Sequence, residues 1–222
     1  MCGRFTLTVE ATELQQAFPG YTFPAQFKPR FNICPGQPVL AVLNTPALTV
    51  DSLVWGLIPA WAKDPQIGSR LINARAETLA EKPSFRGAYR YKRCLIFADG
   101  FYEWQIRPES KFKVPHYIRL KSGQPFTFAG LWEEWHASDG SLVKSCTIIT
   151  TEPNALMSAI HNRMPVILPP AAHQQWLDPT PQTPQSLQPL LLPYPSEEMM
   201  AYPVSTLVNK PENDRPELIH PA

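Results

Sequence analysis

Proline is unusually frequent in this chain, and its distribution limits what the chain can fold into. It accounts for 26 of the 222 residues, whereas glycine accounts for only 10. Each proline fixes φ and removes a backbone donor, so it interrupts helices and the interior strands of sheets. We therefore predict short elements throughout. Residues 178–203, which hold seven prolines, are predicted to form short helical pieces and turns.

Several short apolar segments between the prolines are predicted to be β-strands because turn residues flank them. The Asp139–Gly140 pair precedes one strand, and Ser122–Gly123 is predicted to be the turn of a hairpin. The predicted strands cover residues 39–44, 49–55, 94–99, 100–105, 116–121, 126–132 and 141–151. Short helices are predicted over residues 9–18, 152–160 and 170–177, and an irregular surface segment over 20–38.

These elements predict an α+β fold, a single domain over residues 1–222 with mainly antiparallel sheets and peripheral short helices. Hydrophobic residues make up 44% of the chain, which suffices for a core and excludes a disordered protein. No window approaches the roughly 20 apolar residues of a membrane helix, and the first residues do not resemble a secretion signal. We expect a cytoplasmic monomer that does not bind membranes.

The four cysteines are predicted to be free and mostly buried. They contain no Cys-x-x-Cys pair, which argues against a zinc or thioredoxin-like site. No metal or nucleotide motif occurs either, so we predict no metal and no cofactor. The cysteines are Cys2, Cys34, Cys94 and Cys146.

The net charge is only +1, but basic residues cluster in residues 82–93. This segment holds five basic residues and no acidic one, with Phe85, Tyr89 and Tyr91 among them. Mixed basic and aromatic residues suit a phosphate backbone with exposed bases. A solvated face that keeps the protein soluble is the simpler interpretation of this segment.

Cys2 is a candidate nucleophile. Aminopeptidases remove Met1 when the next side chain is small, which would leave Cys2 with a free α-amine of pKa roughly 7.7–8.0. An amine and a thiol on adjacent carbons can condense with an aldehyde to a thiazolidine ring. The alternative is a frayed terminal residue without a role. Arg4 lies close by, where a guanidinium would lower the thiol pKa and could hold a phosphate.

Other polar side chains lie within apolar segments. Asn73, Arg75 and Glu77 alternate, so on an extended backbone they would share one face. Glu103 lies among aromatic residues in a predicted strand, where desolvation would raise its pKa and suit it to proton transfer. His161 precedes another apolar strand and could titrate near pH 7. Each of these segments also has a simpler interpretation. The Asn73 segment could be an ordinary loop, Glu103 a solvent-facing residue and His161 a helix-capping residue.

Taken together, these motifs identify the chain as similar to the SOS response-associated peptidase (SRAP) family. Their order is specific, and they extend from residue 2 to about residue 219. The motifs are MCGRF at the start, RFNICPGQ (30–37), WGLIPAW (55–61), LINARAET (71–78), FADGFYEW (97–104), IHNRMPVIL (160–168) and PVSTLVNKPENDRPELI (203–219).

The resemblance implies a mixed fold with curved antiparallel sheets and a positively charged groove. It also implies a sensor of abasic sites in single-stranded DNA. Cys2, freed by removal of Met1, would form a thiazolidine crosslink with the sugar aldehyde. By resemblance, the catalytic residues are Cys2, Asn73, Glu103 and His161. By resemblance, the DNA-binding residues are Arg4, Asn32, Pro35, Trp61, Arg75, Thr150 and Arg163.

The implied activities are crosslinking, self-removal of Met1 helped by Glu103, and strand cleavage or crosslink reversal through an imine. The implied location is cytoplasmic and, when the protein is bound to DNA, nucleoid-associated. Two alternatives stay open at this point. One is an N-terminal-nucleophile peptidase that cleaves other proteins. The other is a module that binds single-stranded or modified DNA without a covalent bond.

Overall fold

The computed structural model describes residues 2–107 and 112–222, and short β-strands dominate it. The strands are β1 (Phe5–Leu7), β2 (Arg30–Ile33), β3 (Pro38–Leu43), β4 (Val50–Trp55), β5 (Asn73–Arg75), β6 (Arg93–Ala98), β7 (Gly100–Gln105), β8 (Val114–Leu120), β9 (Phe126–His136), β10 (Leu142–Thr151), β11 (Met164–Pro165), β12 (Ile167–Leu168) and β13 (Met199–Pro203). The helices are α1 (Ala11–Ala17), α2 (Arg86–Tyr91), α3 (Ala155–Ser158), α4 (Pro170–Trp176) and α5 (Pro184–Leu187).

The strands form two sheets. The smaller has the order β13-β8-β7-β1-β2, and the larger has the order β11-β10-β4-β3-β6-β9-β12, with β5 beside β10. Strand β9 also pairs with β10, so β10, β4, β3, β6 and β9 close into a ring. Most pairs are antiparallel, but β10 runs parallel to β4 and β5. The predicted α+β class with mainly antiparallel sheets and short peripheral helices is confirmed.

Aromatic side chains join the smaller sheet to the larger one. Phe5 of β1 contacts Trp55 and Phe128 edge to face, with ring centroids 5.1 and 5.6 Å apart. Each such pair adds about 0.5–1.5 kcal/mol beyond its buried area. The start of the chain is therefore anchored in the main core, where Cys2 is also buried.

The alternation of side chains in a strand predicts that Phe101 and Glu103 of β7 face one side and Tyr102 the other, and the structure confirms this. Phe101 belongs to the main core, whereas Tyr102 lies in a second cluster with Tyr117 and Val208 on the other face of the smaller sheet. The period of two in a strand then puts Glu103 on the Phe101 side. Glu103 is only 2% exposed there.

The predicted hairpin around Ser122–Gly123 is wrong. Strand β8 pairs with β7 and β13 in the smaller sheet, whereas β9 belongs to the larger sheet. Turn residues favour a local reversal, but they do not decide which strands pair. By contrast, the Asp139–Gly140 turn does join the antiparallel pair β9 and β10.

Three further segments differ from expectation. Residues 20–38, predicted to be irregular, contain β2, which pairs with β1. The basic segment contains α2, which was not predicted. Residues 178–203 hold short helical turns as expected but end in β13, which pairs with β8. Within the described residues, no helix has the length and apolarity needed to cross a bilayer.

Candidate active site

Strand β10 brings distant segments of the chain together at its C-terminal end. Asn73 pairs with Ile148 and Arg75 with Thr150 through the parallel β5. Thr150 also pairs with Pro165, just after the His161 segment. Asn73, Arg75, Thr150 and Arg163 therefore lie together. The expectation that Glu77 shares an extended face with Asn73 and Arg75 is wrong, because β5 ends at Arg75 and Glu77 lies in a 3-10 helical turn.

Asn73 holds the start of the chain. Its Nδ2 donates a hydrogen bond of 2.8 Å to the backbone carbonyl of Cys2. Its Oδ1 is buried and has no hydrogen-bond partner among the residues that the structure describes. A buried acceptor without a donor costs about 1–3 kcal/mol, so an unused acceptor beside Cys2 points to a ligand or to a group freed by processing.

Glu103 and the Cys2 thiol are electrostatic neighbours. Burial raises the pKa of the Glu103 carboxyl above its usual value of 4.5, as expected from the sequence. Burial also raises the pKa of the Cys2 thiol, and the nearby Glu103 raises it further. The expected acidification by the Arg4 guanidinium is wrong: the backbone of Arg4 lowers the thiol pKa but burial outweighs it, and the guanidinium bonds to Asn32 and Val208. The thiol is neutral at pH 7 in the chain that carries Met1.

Hydrogen bonds fix both His161 and the residues just before it. Gln105, on the Glu103 face of β7, donates a 2.9 Å hydrogen bond to the carbonyl of Ala159. The backbone N–H of Arg163 donates to Nδ1 of His161 at 3.1 Å. Burial lowers the pKa of His161 below 6.5, so its ring is neutral at pH 7. With Nδ1 accepting, the ring proton lies on Nε2, where it can be donated to a substrate.

The guanidinium of Arg163 is already engaged. It forms a paired contact with the Glu77 carboxylate at 2.6 and 3.0 Å and donates to the carbonyl of Thr150 at 2.6 Å. This pairing lowers the pKa of Glu77. Thr150 is fully buried, so it orients Arg163 and is not open to a ligand. A phosphate at Arg163 would have to share it with Glu77.

Asn32 and Arg4 hydrogen-bond to each other and to the C-terminal segment of the chain. Arg4 donates to Oδ1 of Asn32 at 2.8 Å and to the carbonyl of Val208 at 2.7 Å. The Asn32 amide donates to the carbonyls of Lys210 and Asn213. Asn32 is fully buried, so it cannot line the surface of a DNA-binding groove as the resemblance implied.

The remaining residues of the implied groove are accessible. Trp61 is 61% exposed, Arg75 is exposed and Pro35 is half-buried. The loop after Trp61 is fixed because Nε1 of Trp135 donates a 2.7 Å hydrogen bond to the carbonyl of Ala62. An exposed indole on a fixed loop can stack on a base.

Three residues near the site were missed by sequence reasoning. Lys113 acts electrostatically on both Glu103 and His161. His116 of β8 lies directly opposite Glu103, and Gln105 ties β7 to the His161 segment. Alternation along FYEWQ could have indicated Gln105, but Lys113 and His116 lie in no motif. In the described part of the chain, no cluster of His, Cys, Asp or Glu could hold a metal.

Comparison with known proteins gives a consistent result. Residues 1–211 match the family described as SOS response associated peptidase (SRAP). "Abasic site processing protein YoqW" of Bacillus subtilis is 50% identical over 222 residues, covering 99% of both chains. "Abasic site processing protein HMCES" of Xenopus tropicalis is 32% identical, covering 98% of this chain and 77% of its own.

The same result comes from solved structures. A crystal structure of a Bacteroides thetaiotaomicron protein matches with a TM-score of 0.89 at 28% identity, covering all of both chains. A phage-related protein from Bordetella bronchiseptica matches with a TM-score of 0.70, also at 28% identity. The family match spans nearly the whole chain. This chain therefore belongs to the SOS response associated peptidase family.

Proposed function

We propose that this protein processes abasic sites in single-stranded DNA by forming a covalent thiazolidine through Cys2 after Met1 is removed. The observation that carries the proposal is the convergence of Asn73 and Glu103 on Cys2, the residue that gains an α-amine when Met1 leaves. The names of the bacterial and vertebrate relatives support the abasic-site substrate.

The chemistry balances without a cofactor. The neutral α-amine adds to the C1′ aldehyde of the ring-opened sugar, and the resulting carbinolamine loses water to give an imine. The Cys2 sulfur then adds to the imine carbon, and the thiol proton passes to nitrogen. Because burial keeps the thiol neutral, we infer that the amine attacks first. Glu103 would accept the ammonium proton and return it to the departing hydroxyl.

His161 and the arginines would prepare the substrate. The Nε2 proton of His161 would hydrogen-bond to the sugar ring oxygen and favour the open aldehyde. Arg75 and Arg163 would bind flanking phosphates, and Arg4 a third, while Trp61 stacks on a base. These contacts read no sequence, so selectivity would come from the space that the missing base leaves. We infer that Glu103 also assists the loss of Met1, and that the imine permits strand cleavage or reversal.

The test is incubation of the protein with single-stranded DNA carrying one abasic site, followed by a denaturing gel. We expect a stoichiometric band that survives heat and SDS, and none with undamaged DNA of the same sequence. Intact mass should show a protein without Met1 and an adduct formed with loss of one water. Catalytic turnover on peptides, or reversible DNA binding alone, would contradict the proposal.

The pH dependence of crosslinking should depend on Glu103. Glu103 can accept a proton only while it is ionised, so the wild-type rate should fall as the pH drops toward its raised pKa. Glu103→Gln should lower the rate about a hundredfold and abolish this pH dependence. The pH dependence that remains should come from protonation of the α-amine. Single-turnover rates across pH check this, with Glu133→Gln as a control because Glu133 pairs with Lys92 elsewhere. An unchanged pH profile would exclude Glu103 as the base.

A further inference from the structure

The basic segment 82–93 divides into structural and unpaired cations. Lys92 pairs with Glu133 at 2.8 Å. Arg93 is fully buried and donates to backbone carbonyls, among them those of Trp176 and Arg90. Lys82 before α2 and Arg86 and Arg90 of α2 are exposed, and over the described ranges no carboxylate pairs with any of the three. Among the described residues, the charges of Arg86 and Arg90 are therefore not used in an ion pair.

An open pocket of about 480 Å³ lies between α2 and residues 182–185. Arg86 and Arg90 are one helical turn apart, so their side chains lie on the same side of α2. Gly87 lies between them and has nothing within 4 Å of its Cβ position, which leaves room for a ligand. The charged residues of the lining are both arginines, and polar side chains of Gln182, Thr183 and Gln185 complete the wall.

An aromatic ring accompanies the two arginines. Of the three aromatic residues in the basic segment, Phe85 and Tyr89 are buried, whereas Tyr91 is 50% exposed. The guanidinium carbon of Arg90 lies 5.3 Å from the centroid of the Tyr91 ring. Paired guanidinium groups bind phosphate oxygens, and an exposed ring beside them can stack on an unpaired base.

We propose that this pocket is a second contact for the single DNA strand, outside the site around Cys2. Arg86 and Arg90 bind its phosphates, and Tyr91 stacks on one base. This inference rests on the proposed function because it takes single-stranded DNA as the ligand. The chain itself connects the two regions: Glu77 contacts Arg163 at the candidate active site, and Ala80, three residues later, already lines the pocket. A strand leaving the active site can therefore reach α2 along this segment.

The test compares the binding of undamaged single-stranded oligonucleotides of about six and about twenty nucleotides, one near the lower end of the usual range of site sizes and one above that range. In Arg86→Ser/Arg90→Ser, the slope of log K against log salt for the longer strand should fall by about 1.4 in magnitude, because each phosphate contact contributes about 0.7. Affinity at 0.15 M salt should fall about tenfold as a result. Binding of the shorter strand should not change.

Matched variants make the result specific. Lys121→Ser removes an exposed positive charge elsewhere, which no carboxylate pairs over the described ranges, and should leave the slope as in the wild type. Tyr91→Ala should weaken binding of the longer strand without altering the slope of its salt dependence. Trp61→Ala should weaken binding of both strands. Equal slopes in the arginine and lysine variants would refute the second contact. If the wild type bound neither oligonucleotide, the proposed function itself would be wrong. That result differs from one in which the wild type binds and only the second contact is absent.

Discussion

Replacing Cys2 with alanine is expected to abolish the heat-stable adduct with abasic DNA, a loss of at least about a hundredfold. Alanine is also small, so removal of Met1 should continue and leave an α-amine. Without sulfur, that amine can form only an imine, which water reverses. The measurement is the fraction of labelled abasic strand shifted on a denaturing gel after heating in SDS.

Reduction by borohydride separates the two nucleophiles. Cys2→Ala should give a stable band only when borohydride is present, because reduction traps the imine. The wild type should give one without it. Cys34→Ala is the matched control, since Cys34 is another buried free thiol, and it should crosslink normally. A heat-stable band from Cys2→Ala without a reductant would mean that sulfur is not needed and that the thiazolidine is wrong.

Gly100→Ala is expected to lower the free energy of unfolding by about 4 kcal/mol, at the upper end for a single substitution. A Cβ on Gly100 would lie 2.1 Å from the hydroxyl of Tyr117 and 2.2 Å from its ring. The Tyr117 hydroxyl cannot move freely because it hydrogen-bonds to Thr6 at 2.9 Å. Strand β7 would have to shift, and Glu103 with it. Urea unfolding followed by tryptophan fluorescence measures the change.

Two variants test whether this contact is the cause. Gly87→Ala is the same substitution on the exposed helix α2, where nothing lies within 4 Å, and it should stabilise the protein by up to about 1 kcal/mol. Tyr117→Ala should itself destabilise the protein because Tyr117 is buried, but adding Gly100→Ala to it should cost far less than about 4 kcal/mol because the clash is absent. If Gly100→Ala unfolded at the wild-type urea concentration, the close approach of Tyr117 to β7 would be wrong.

Local patterns predicted the strands well because the side-chain period is a property of the backbone. Alternation in GFYEWQ placed Glu103 and Tyr102 on opposite faces, and the structure agrees. The raised pKa of Glu103 followed from its apolar neighbours in sequence. The same local reasoning failed at Ser122–Gly123, because a turn can equally carry the chain from one sheet to the other.

Fold class, family and the residue types available for chemistry could all be predicted from the amino-acid sequence. Which of these residues contact one another could not be predicted without the folded chain. The Asn73 amide hydrogen-bonds to Cys2, which is 71 positions away in the sequence. Glu77 forms an ion pair with Arg163, and Asn32 is buried beneath the C-terminal segment. The physical reason is that backbone preferences act over a few residues, whereas these contacts depend on sheet pairing. The parallel alignment of β5 with β10 set the partners of Asn73 and Arg75, and no local pattern encodes that register.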